Sequence, residues 1–276
     1  SLKEYHMLKI NQKILSRFPM LFCIGIILFQ SCAPTSKNVT VVAKPAEEIR
    51  SNVNTVEAPK PMPGTKSMVN TIQVVNFNLE GITHNDFMGI ASNVAPNFAP
   101  LSGLISKVWL SDEGNNTYGG VYSWKNKESC ETYRSGELYA GALKNNPNFI
   151  NLYDKKFDVL EGPTSITGNL SKNTPAYIQI INFNLKDITH SDFMGIGNEV
   201  APNFASLPGL VSKVWLSDEA NNTYGGVYFW ENKEYCDAYR TGELYAGALT
   251  NNPNFVNLSD KGFQVLEEPS RITHMK

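Results

Sequence analysis

Two neighbouring stretches of the chain together supply a basic group and several aromatic rings at spacings that could line a pocket. Lys107 and Trp109 are two positions apart and therefore share one face of a strand. Tyr118 and Tyr122 share one face of the next strand, with Gly120 leaving a gap between the rings. Such a gap can be a ligand pocket or room for a helix, and a Lys stem lying along a Trp is also common on ordinary sheets. Pocket and packing both remain open.

Further polar candidates lie just before this stretch. Asn76 and Asn78 point the same way from a strand whose face should be covered, and buried amides need hydrogen-bond partners. His84 follows Thr83, which is placed to cap a helix, so the imidazole is either part of a site or a solvent-exposed residue at a helix end. Asn78, His84 and Lys107 are the predicted catalytic candidates, and Trp109, Tyr118 and Tyr122 the predicted substrate-binding residues.

Several other chemistries are disfavoured by the sequence. There is no Gly-rich dinucleotide or Walker loop, no H-E-x-x-H and no G-x-S-x-G, so no flavin, nicotinamide or nucleotide cofactor is predicted. The four His are scattered and no C-x-x-C occurs, so no metal site is predicted. Cys130 and Cys236 are predicted to be small buried residues. A net charge of −2 gives no reason to expect a nucleic-acid partner.

The candidate residues occur twice, because residues 71–161 align with residues 177–267 without a gap. A repeat near 100 residues matches a whole small domain rather than a solenoid unit. The function to explain is therefore that of one module present in two copies. The second copy supplies the equivalent candidates Asn184, His190, Lys213, Trp215, Tyr224 and Tyr228.

Each module reads as strand, helix, strand, strand, helix, strand. Thr83 with Asp86 indicates the start of the first helix. Asn126 should start a second helix that runs to about Leu143. This order predicts a ferredoxin-like α+β fold with both helices on one face of a four-stranded sheet. The domain prediction is repeat 1 at 71–162, a linker at 163–176, repeat 2 at 177–268 and a tail at 269–276. We expect the two sheets to pack face to face as an intramolecular barrel, which makes the chain a monomer.

The N-terminal part of the sequence has the composition of an export signal. Basic residues precede a short apolar run that is too short to span a membrane as a helix and that ends just before Cys32. This resembles a bacterial lipoprotein signal, so residues 1–31 are predicted to be the signal segment and Cys32 the lipidated residue. Met7 is a candidate translation start. Residues 32–70, rich in Pro, Ser and Thr, are predicted to be a disordered tether. The expected location is the cell envelope, with the lipid in the outer membrane and the protein facing the periplasm.

The run from Lys107 through Trp109, Ser111 and Glu113 to the Gly-Gly-Val-Tyr-x-Trp segment at 119–124 resembles the YdhR-like putative mono-oxygenase family. That family belongs to the dimeric α+β barrel group, which includes antibiotic-biosynthesis monooxygenases. The resemblance covers each repeat end to end. Members are usually single-domain homodimers, and this chain departs from them by fusing two copies and adding a lipoprotein-like leader. The resemblance implies a barrel fold and an oxygenase-like activity.

The resemblance also implies a kind of chemistry. The barrel group includes oxygenases without a cofactor, in which an acidic aromatic substrate reacts with oxygen as its own anion. Such a site needs a dry aromatic pocket and a few polar groups that take or hold a proton. Haem-degrading members of the group carry a ligating His on the second helix, and this module has none, so haem is disfavoured. The predicted substrate is a small aromatic or apolar molecule. The alternative function is a non-enzymatic lipoprotein that binds a small ligand or a partner.

The position of the pocket follows from the same reasoning. Each repeat should hold its own pocket between sheet and helices, with Trp109 beside Asn78 in repeat 1 and Trp215 beside Asn184 in repeat 2. Ser123 and Ser129 of repeat 1 are replaced by larger aromatic residues in repeat 2, Phe229 and Tyr235. The second pocket should be the tighter one if those positions face inward.

Overall fold

The computed structural model of the protein describes residues 69–275. The predicted signal segment, Cys32 and all but the last two residues of the predicted tether lie outside the described residues. Each repeat folds as predicted into four strands with helices between them. The elements of repeat 1 are β1 (Thr71–Leu79), α1 (His84–Phe98), β2 (Leu104–Asp112), β3 (Thr117–Trp124), α2 (Lys127–Arg134), α3 (Glu137–Tyr139), β4 (Phe149–Val159) and α4 (Glu161–Thr167).

Repeat 2 follows the same order of elements. They are β5 (Tyr177–Leu185), α5 (His190–Ala205), β6 (Leu210–Asp218), β7 (Thr223–Trp230), α6 (Lys233–Arg240), α7 (Glu243–Tyr245), β8 (Phe255–Val265) and α8 (Glu267–Ile272). None of the helices within residues 69–275 is long and apolar enough to span a membrane.

The eight strands close into one antiparallel barrel in the order β1-β3-β2-β8-β5-β7-β6-β4. Two seams join the repeats: β2 pairs with β8 at Leu110 and Val265, and β4 pairs with β6 at Val159 and Leu216. Alternate residues of every strand point inward, and apolar side chains of both repeats fill the interior. Ile72 and Ile178, for example, are both completely buried in this shared cluster. The predicted fold class, two ferredoxin-like repeats that form an intramolecular barrel, is confirmed.

The opposite face of each sheet packs against the helices of its own repeat. Helix α1 starts at the predicted cap: Asp86 N donates to Thr83 Oγ1, and Thr83 N donates to Asp86 Oδ2 at 2.8 Å. The second helix is shorter than predicted, because Gly136 takes an extended conformation and ends α2. The chain resumes as α3 and then as one π-helical turn, Ala140–Lys144.

Two helices lie where the sequence indicated only a linker and a tail, and both cross to the other repeat. Helix α4 packs on α5 and β6 of repeat 2, and α8 packs on α1 and β2 of repeat 1. Leu160 and Leu266 precede these helices and are buried in the core of the opposite repeat. Each repeat therefore completes the helical layer of its neighbour.

Candidate functional site

A cavity of about 190 Å³ lies between the sheet of repeat 1 and its helices. It is larger than an apolar cavity of about 150 Å³ that stays dry and binds benzene in another protein. The space is therefore sufficient for a small aromatic molecule. Its wall is mainly apolar and includes six aromatic residues, Phe77, Phe87, Phe98, Trp109, Tyr122 and Phe149.

Lys107 is the basic residue in this aromatic wall. The side chain leaves β2 toward the helices and is 1% exposed. Its Nζ lies 3.1 Å from the ring centroid of Trp109, 3.5 Å from that of Phe98 and 4.6 Å from that of Tyr122. Within residues 69–275, Nζ has no hydrogen bond and no ion-pair partner. The predicted placement of Lys107 and Trp109 on one face is confirmed.

Burial decides the charge state of this amine. Removal from water lowers the pKa of Lys107 well below its ordinary value. Aromatic faces attract a cation and offset part of that effect. Among the described residues, no carboxylate pairs with Nζ to compensate the loss of hydration. A neutral amine has a free lone pair, so it can accept a proton or attack an electrophile.

Asn146 is a second polar residue of the cavity wall, and the sequence analysis did not select it. It follows the π-helical turn in a loop that the sequence marked only as a helix stop. Its Oδ1 accepts a hydrogen bond from the backbone N–H of Asn148 at 3.0 Å. No described residue accepts a hydrogen bond from Nδ2 of Asn146. That amide is therefore available as a donor to a ligand oxygen.

The other polar atoms of the aromatic wall are already engaged. The indole N–H of Trp109 donates to Thr273 Oγ1 at 3.2 Å, and the hydroxyl of Tyr122 lies 3.4 Å from that of Tyr133. Burial raises the pKa of Tyr122 well above its ordinary value, so its phenol stays protonated. Trp109 and Tyr122 therefore present ring surface to the cavity and no free polar group.

Asn78, His84 and Tyr118 were predicted site residues, but they lie away from the cavity wall. Tyr118 is buried in the core between sheet and helices. Asn78 projects from the other face of β1, where Nδ2 donates to the backbone oxygen of Asn116 at 2.7 Å and Oδ1 accepts from Asn151. The expected pairing of Trp109 with Asn78 does not occur, because neighbouring Phe77 takes the helix-facing position. His84 packs beside Tyr118 with ring centroids 5.9 Å apart, and its buried Nδ1 has no hydrogen-bond partner among residues 69–275.

Repeat 2 reproduces this arrangement. Every cavity-lining residue of repeat 1 has an identical counterpart in repeat 2. Lys213 is 2% exposed, and its Nζ lies 3.2 Å from the ring centroids of Phe204 and Trp215 and 4.5 Å from that of Tyr228. Burial lowers the pKa of Lys213 well below its ordinary value, as it does for Lys107.

The remaining candidates of repeat 2 also match those of repeat 1. Asn184 is held by the backbone oxygen of Asn222 at 2.6 Å, and His190 packs beside Tyr224 at 5.8 Å between ring centroids. The expected narrowing of the second pocket has no basis in the structure. Phe229 points into the barrel, and Tyr235 is 37% exposed.

The cavity of repeat 1 has a natural mouth. Ile90 and Val94 of α1 and Ala142 are only partly buried, and Gly141 is exposed although it lines the cavity. A Cβ added at Gly141 would meet no atom within 4 Å. A π-helical turn in this position is the kind of local irregularity that is frequent at functional sites. A ligand can therefore enter between α1 and this turn.

Two groups near the site are structural. Arg134 of α2 binds Asp154, with Nε 2.9 Å from Oδ2, and Glu131. Asp154 of β4 is more buried than Glu131. The contact of Arg134 with Asp154 is therefore the stronger of the two. Cys130 is buried as predicted, and its Sγ donates to Gln73 Oε1 at 3.7 Å. Burial raises the pKa of its thiol to about 11. Cys236 is likewise buried, and neither cysteine forms a disulfide within residues 69–275. Neither thiol is set up as a nucleophile.

No group of three or more His, Cys, Asp or Glu side chains in residues 69–275 could hold a metal ion. The described site is thus an apolar, aromatic chamber with one amine and one amide in its wall. These features and the closed barrel of two ferredoxin-like repeats define the dimeric α+β barrel class of proteins.

The chain belongs to the family described as "Putative mono-oxygenase ydhR", whose model matches residues 72–169 and 178–276. The resemblance inferred from the 107–124 segment is confirmed. The comparison with proteins of curated function finds no significant match.

Solved structures with the same fold include a putative monooxygenase from Fusobacterium nucleatum subsp. nucleatum, with a TM-score of 0.56 and 13% identity over 72% of this chain and 93% of that chain. Another is an anthrone oxidase-like protein, with a TM-score of 0.53 and 12% identity over 71% of this chain and 91% of that chain. Identities this low show the shared fold alone.

Proposed function

We propose that this protein is a cofactor-independent monooxygenase that acts on a small, weakly acidic aromatic molecule. The observation that carries the proposal is the amine of Lys107, which is buried and lies in the wall of a cavity lined by aromatic rings. No polar group in the described part of the chain pairs with it. Repeat 2 carries the same residues around Lys213. In this proposal the cavity binds the ring of the substrate and the amine accepts its proton.

The reaction would begin with proton transfer. A phenol, or a CH2 group flanked by aromatic rings, loses a proton to Nζ of Lys107, which gives a substrate anion beside an ammonium ion. The faces of Trp109 and Phe98 stabilise the ammonium as it forms. The attraction between the opposite charges is stronger here than in water, because the surrounding wall is largely apolar. The amide of Asn146 is available to hold the oxygen on which the negative charge of the substrate rests.

Oxygen then reacts with the anion. The anion passes one electron to O2, and the resulting radicals combine to form a C–O bond. For a CH2 substrate, the resulting peroxide anion takes up the proton from the ammonium and becomes a hydroperoxide, which then loses water to give a carbonyl. Overall, one CH2 group and one O2 molecule give one C=O group and one water molecule, so O2 is the only oxidant. The protein supplies binding, a base and a dry site.

Oxygen uptake by the full chain tests this proposal. Anthrone is a suitable first substrate because its CH2 group is acidified by two rings and a carbonyl, and substituted phenols complete the panel. We expect one O2 consumed per anthrone. The Lys107→Met, Lys213→Met double variant should lose about 100-fold or more in rate, the usual contribution of a general base, and each single variant should keep about half of it. Lys125→Met, at an exposed position, is the matched control.

The alternative function is ligand binding without chemistry, and the same experiment separates the two. Saturable quenching of Trp fluorescence by phenols without any oxygen uptake would support a binding protein and contradict the enzyme. Oxygen uptake that the double variant retains would contradict the assigned role of the lysines.

The cellular setting is a separate proposal, supported by the residues before the described part of the chain. We propose that Cys32 is lipidated, that the protein is held in the outer membrane facing the periplasm, and that it acts as a monomer. The basic flank and short apolar run before Cys32 support the anchor. The barrel supports the monomer, because its own two repeats already close every strand edge.

A further inference from the structure

The reactive group of the cavity is the primary amine of Lys107, which is buried against aromatic rings and has no hydrogen-bond or ion-pair partner within residues 69–275. Proton transfer is only one of the reactions of such an amine. We propose that Lys107 and Lys213 also form imines with small aromatic aldehydes, which makes each repeat a carbonyl-capturing site. This second activity uses the cavity of the proposed oxygenase but needs neither oxygen nor an acidic substrate.

The surroundings of Nζ favour this reaction. The lone pair of Lys107 is not consumed by a hydrogen bond or an ion pair within residues 69–275, and Trp109 and Phe98 leave it beside open cavity space. A lysine desolvated in an apolar pocket is the usual form in which proteins use this residue for Schiff-base chemistry. An aromatic wall also selects for an aldehyde that carries a ring.

The step is balanced without a further reagent. The nitrogen attacks the carbonyl carbon to form a C–N bond, and a proton moves from nitrogen to oxygen to give a carbinolamine. Loss of one water leaves the C=N bond of the imine. The apolar chamber favours release of that water and slows the reverse hydrolysis. Asn146 can donate to the carbonyl oxygen during attack, because its Nδ2 has no acceptor among the described residues.

Other lysines of the same chain provide an internal reference. Lys125 and Lys144 are exposed. An amine with the usual lysine pKa of about 10.4 is neutral in only about one molecule in 2,500 at pH 7. At neutral pH and limiting aldehyde, the two buried lysines should therefore react well ahead of the exposed ones.

The test is reductive trapping. The full chain is incubated with benzaldehyde at pH 7 under nitrogen, reduced with borohydride and mapped by peptide mass spectrometry. We expect N-benzyl adducts at Lys107 and Lys213 at least about tenfold above those at Lys125 and Lys144. Equal labelling of all lysines, or no adduct at Lys107 and Lys213, would overturn the proposal. Because oxygen is absent, this outcome is independent of oxygenase activity.

Variants at the cavity mouth keep the test decisive. Gly141→Phe places a ring in the mouth of the first cavity, where an added Cβ meets no atom within 4 Å. It should abolish trapping at Lys107 and leave Lys213 labelled in the same molecule. Gly247→Phe should give the reverse result, since a Cβ there is equally unobstructed. Unchanged labelling at Lys107 in the first variant would contradict entry through this mouth and capture in this cavity.

Discussion

The indole N–H of Trp109 donates a hydrogen bond of 3.2 Å to the hydroxyl of Thr273, which belongs to the segment that crosses from the other repeat. The same hydroxyl donates to the backbone oxygen of Lys107 at 2.6 Å. In repeat 2, Thr167 holds Trp215 and Lys213 in the same way. Each candidate site is therefore oriented by a residue of the opposite repeat, and a single isolated repeat would lack this support.

Removal of this hydroxyl should weaken the fold. Thr273 is completely buried, so Thr273→Val leaves the Trp109 N–H and a carbonyl lone pair of Lys107 without a partner. We expect the free energy of unfolding to fall by about 2–3 kcal/mol. Urea denaturation followed by Trp fluorescence measures the change. Thr273→Ser retains the hydroxyl, so its free energy of unfolding should fall much less. Equal losses of stability in both variants would show that these hydrogen bonds are unimportant.

Lys107→Met should stabilise the protein, and more so at low pH. The pKa of Lys107 is lowered in the folded state by burial, so the unfolded chain binds more protons between the folded pKa and the ordinary value near 10.4. Wild-type stability therefore rises with pH across that interval and is lowest below it. Methionine removes the penalty, with a gain comparable to the roughly 1–4 kcal/mol seen when buried ionic groups are replaced by apolar ones.

Free energies of unfolding measured at pH 6, 8 and 10 test the direction of this pH dependence. The advantage of Lys107→Met over wild type should be largest at pH 6 and shrink toward pH 10. Lys125→Met, at an exposed position, should differ from wild type by no more than about 0.5 kcal/mol at each pH. An advantage that grows with pH would contradict the assigned pKa direction.

Gly119 should tolerate no side chain. Its φ is +150°, and an added Cβ would lie 1.9 Å from the backbone oxygen of Val75 on the neighbouring strand. Gly119→Ala should therefore distort the pairing of β3 with β1 and lower the melting temperature sharply or prevent folding. Gly119 and Gly141 both line the cavity of repeat 1. A Cβ added at Gly141 meets no atom within 4 Å, so Gly141→Ala should be tolerated. Similar melting temperatures for the two variants would contradict the claim that the close approach of Gly119 to Val75 excludes a side chain.

Cys32→Ser tests the proposed anchor. Because Cys32 follows a short apolar run with a basic flank, the variant should lose incorporation of labelled fatty acid and be released from membranes. Metabolic labelling and fractionation measure both effects. A Cys32→Ser protein that stays membrane-bound after high-salt washing would refute lipid anchoring, whereas Cys130→Ser should behave like wild type.

Much of the fold could be predicted because local signals agree with the final structure. The order of strands and helices, the capping pair Thr83 and Asp86 and the repeat itself could be predicted from the sequence. Helices α4 and α8 were missed because they have only seven and six residues and are stabilised by the opposite repeat. Burial of Leu160 and Leu266 in a distant core leaves no periodic pattern in the sequence around them.

The site was predicted only where strand geometry decides the direction of a side chain. Lys107, Trp109 and Tyr122 reach the cavity because alternation places them on the helix-facing side. Asn78 was misplaced because the helix-facing side of β1 was assigned to the wrong set of alternate residues. Asn146 was missed because it lies in a loop, where side-chain direction depends on the turn. The volume of the cavity depends on packing between elements and has no local signal.

The charge of the two buried lysines is the central claim, and NMR titration tests it most directly. The full chain carrying lysine labelled with ¹³C at Cε is titrated from pH 6 to 11, with Lys107→Met and Lys213→Met used for assignment. The account predicts two signals that already have the shift of a neutral amine at pH 7, well below the ordinary lysine value of about 10.4. Titration of all lysines together near that value would contradict it.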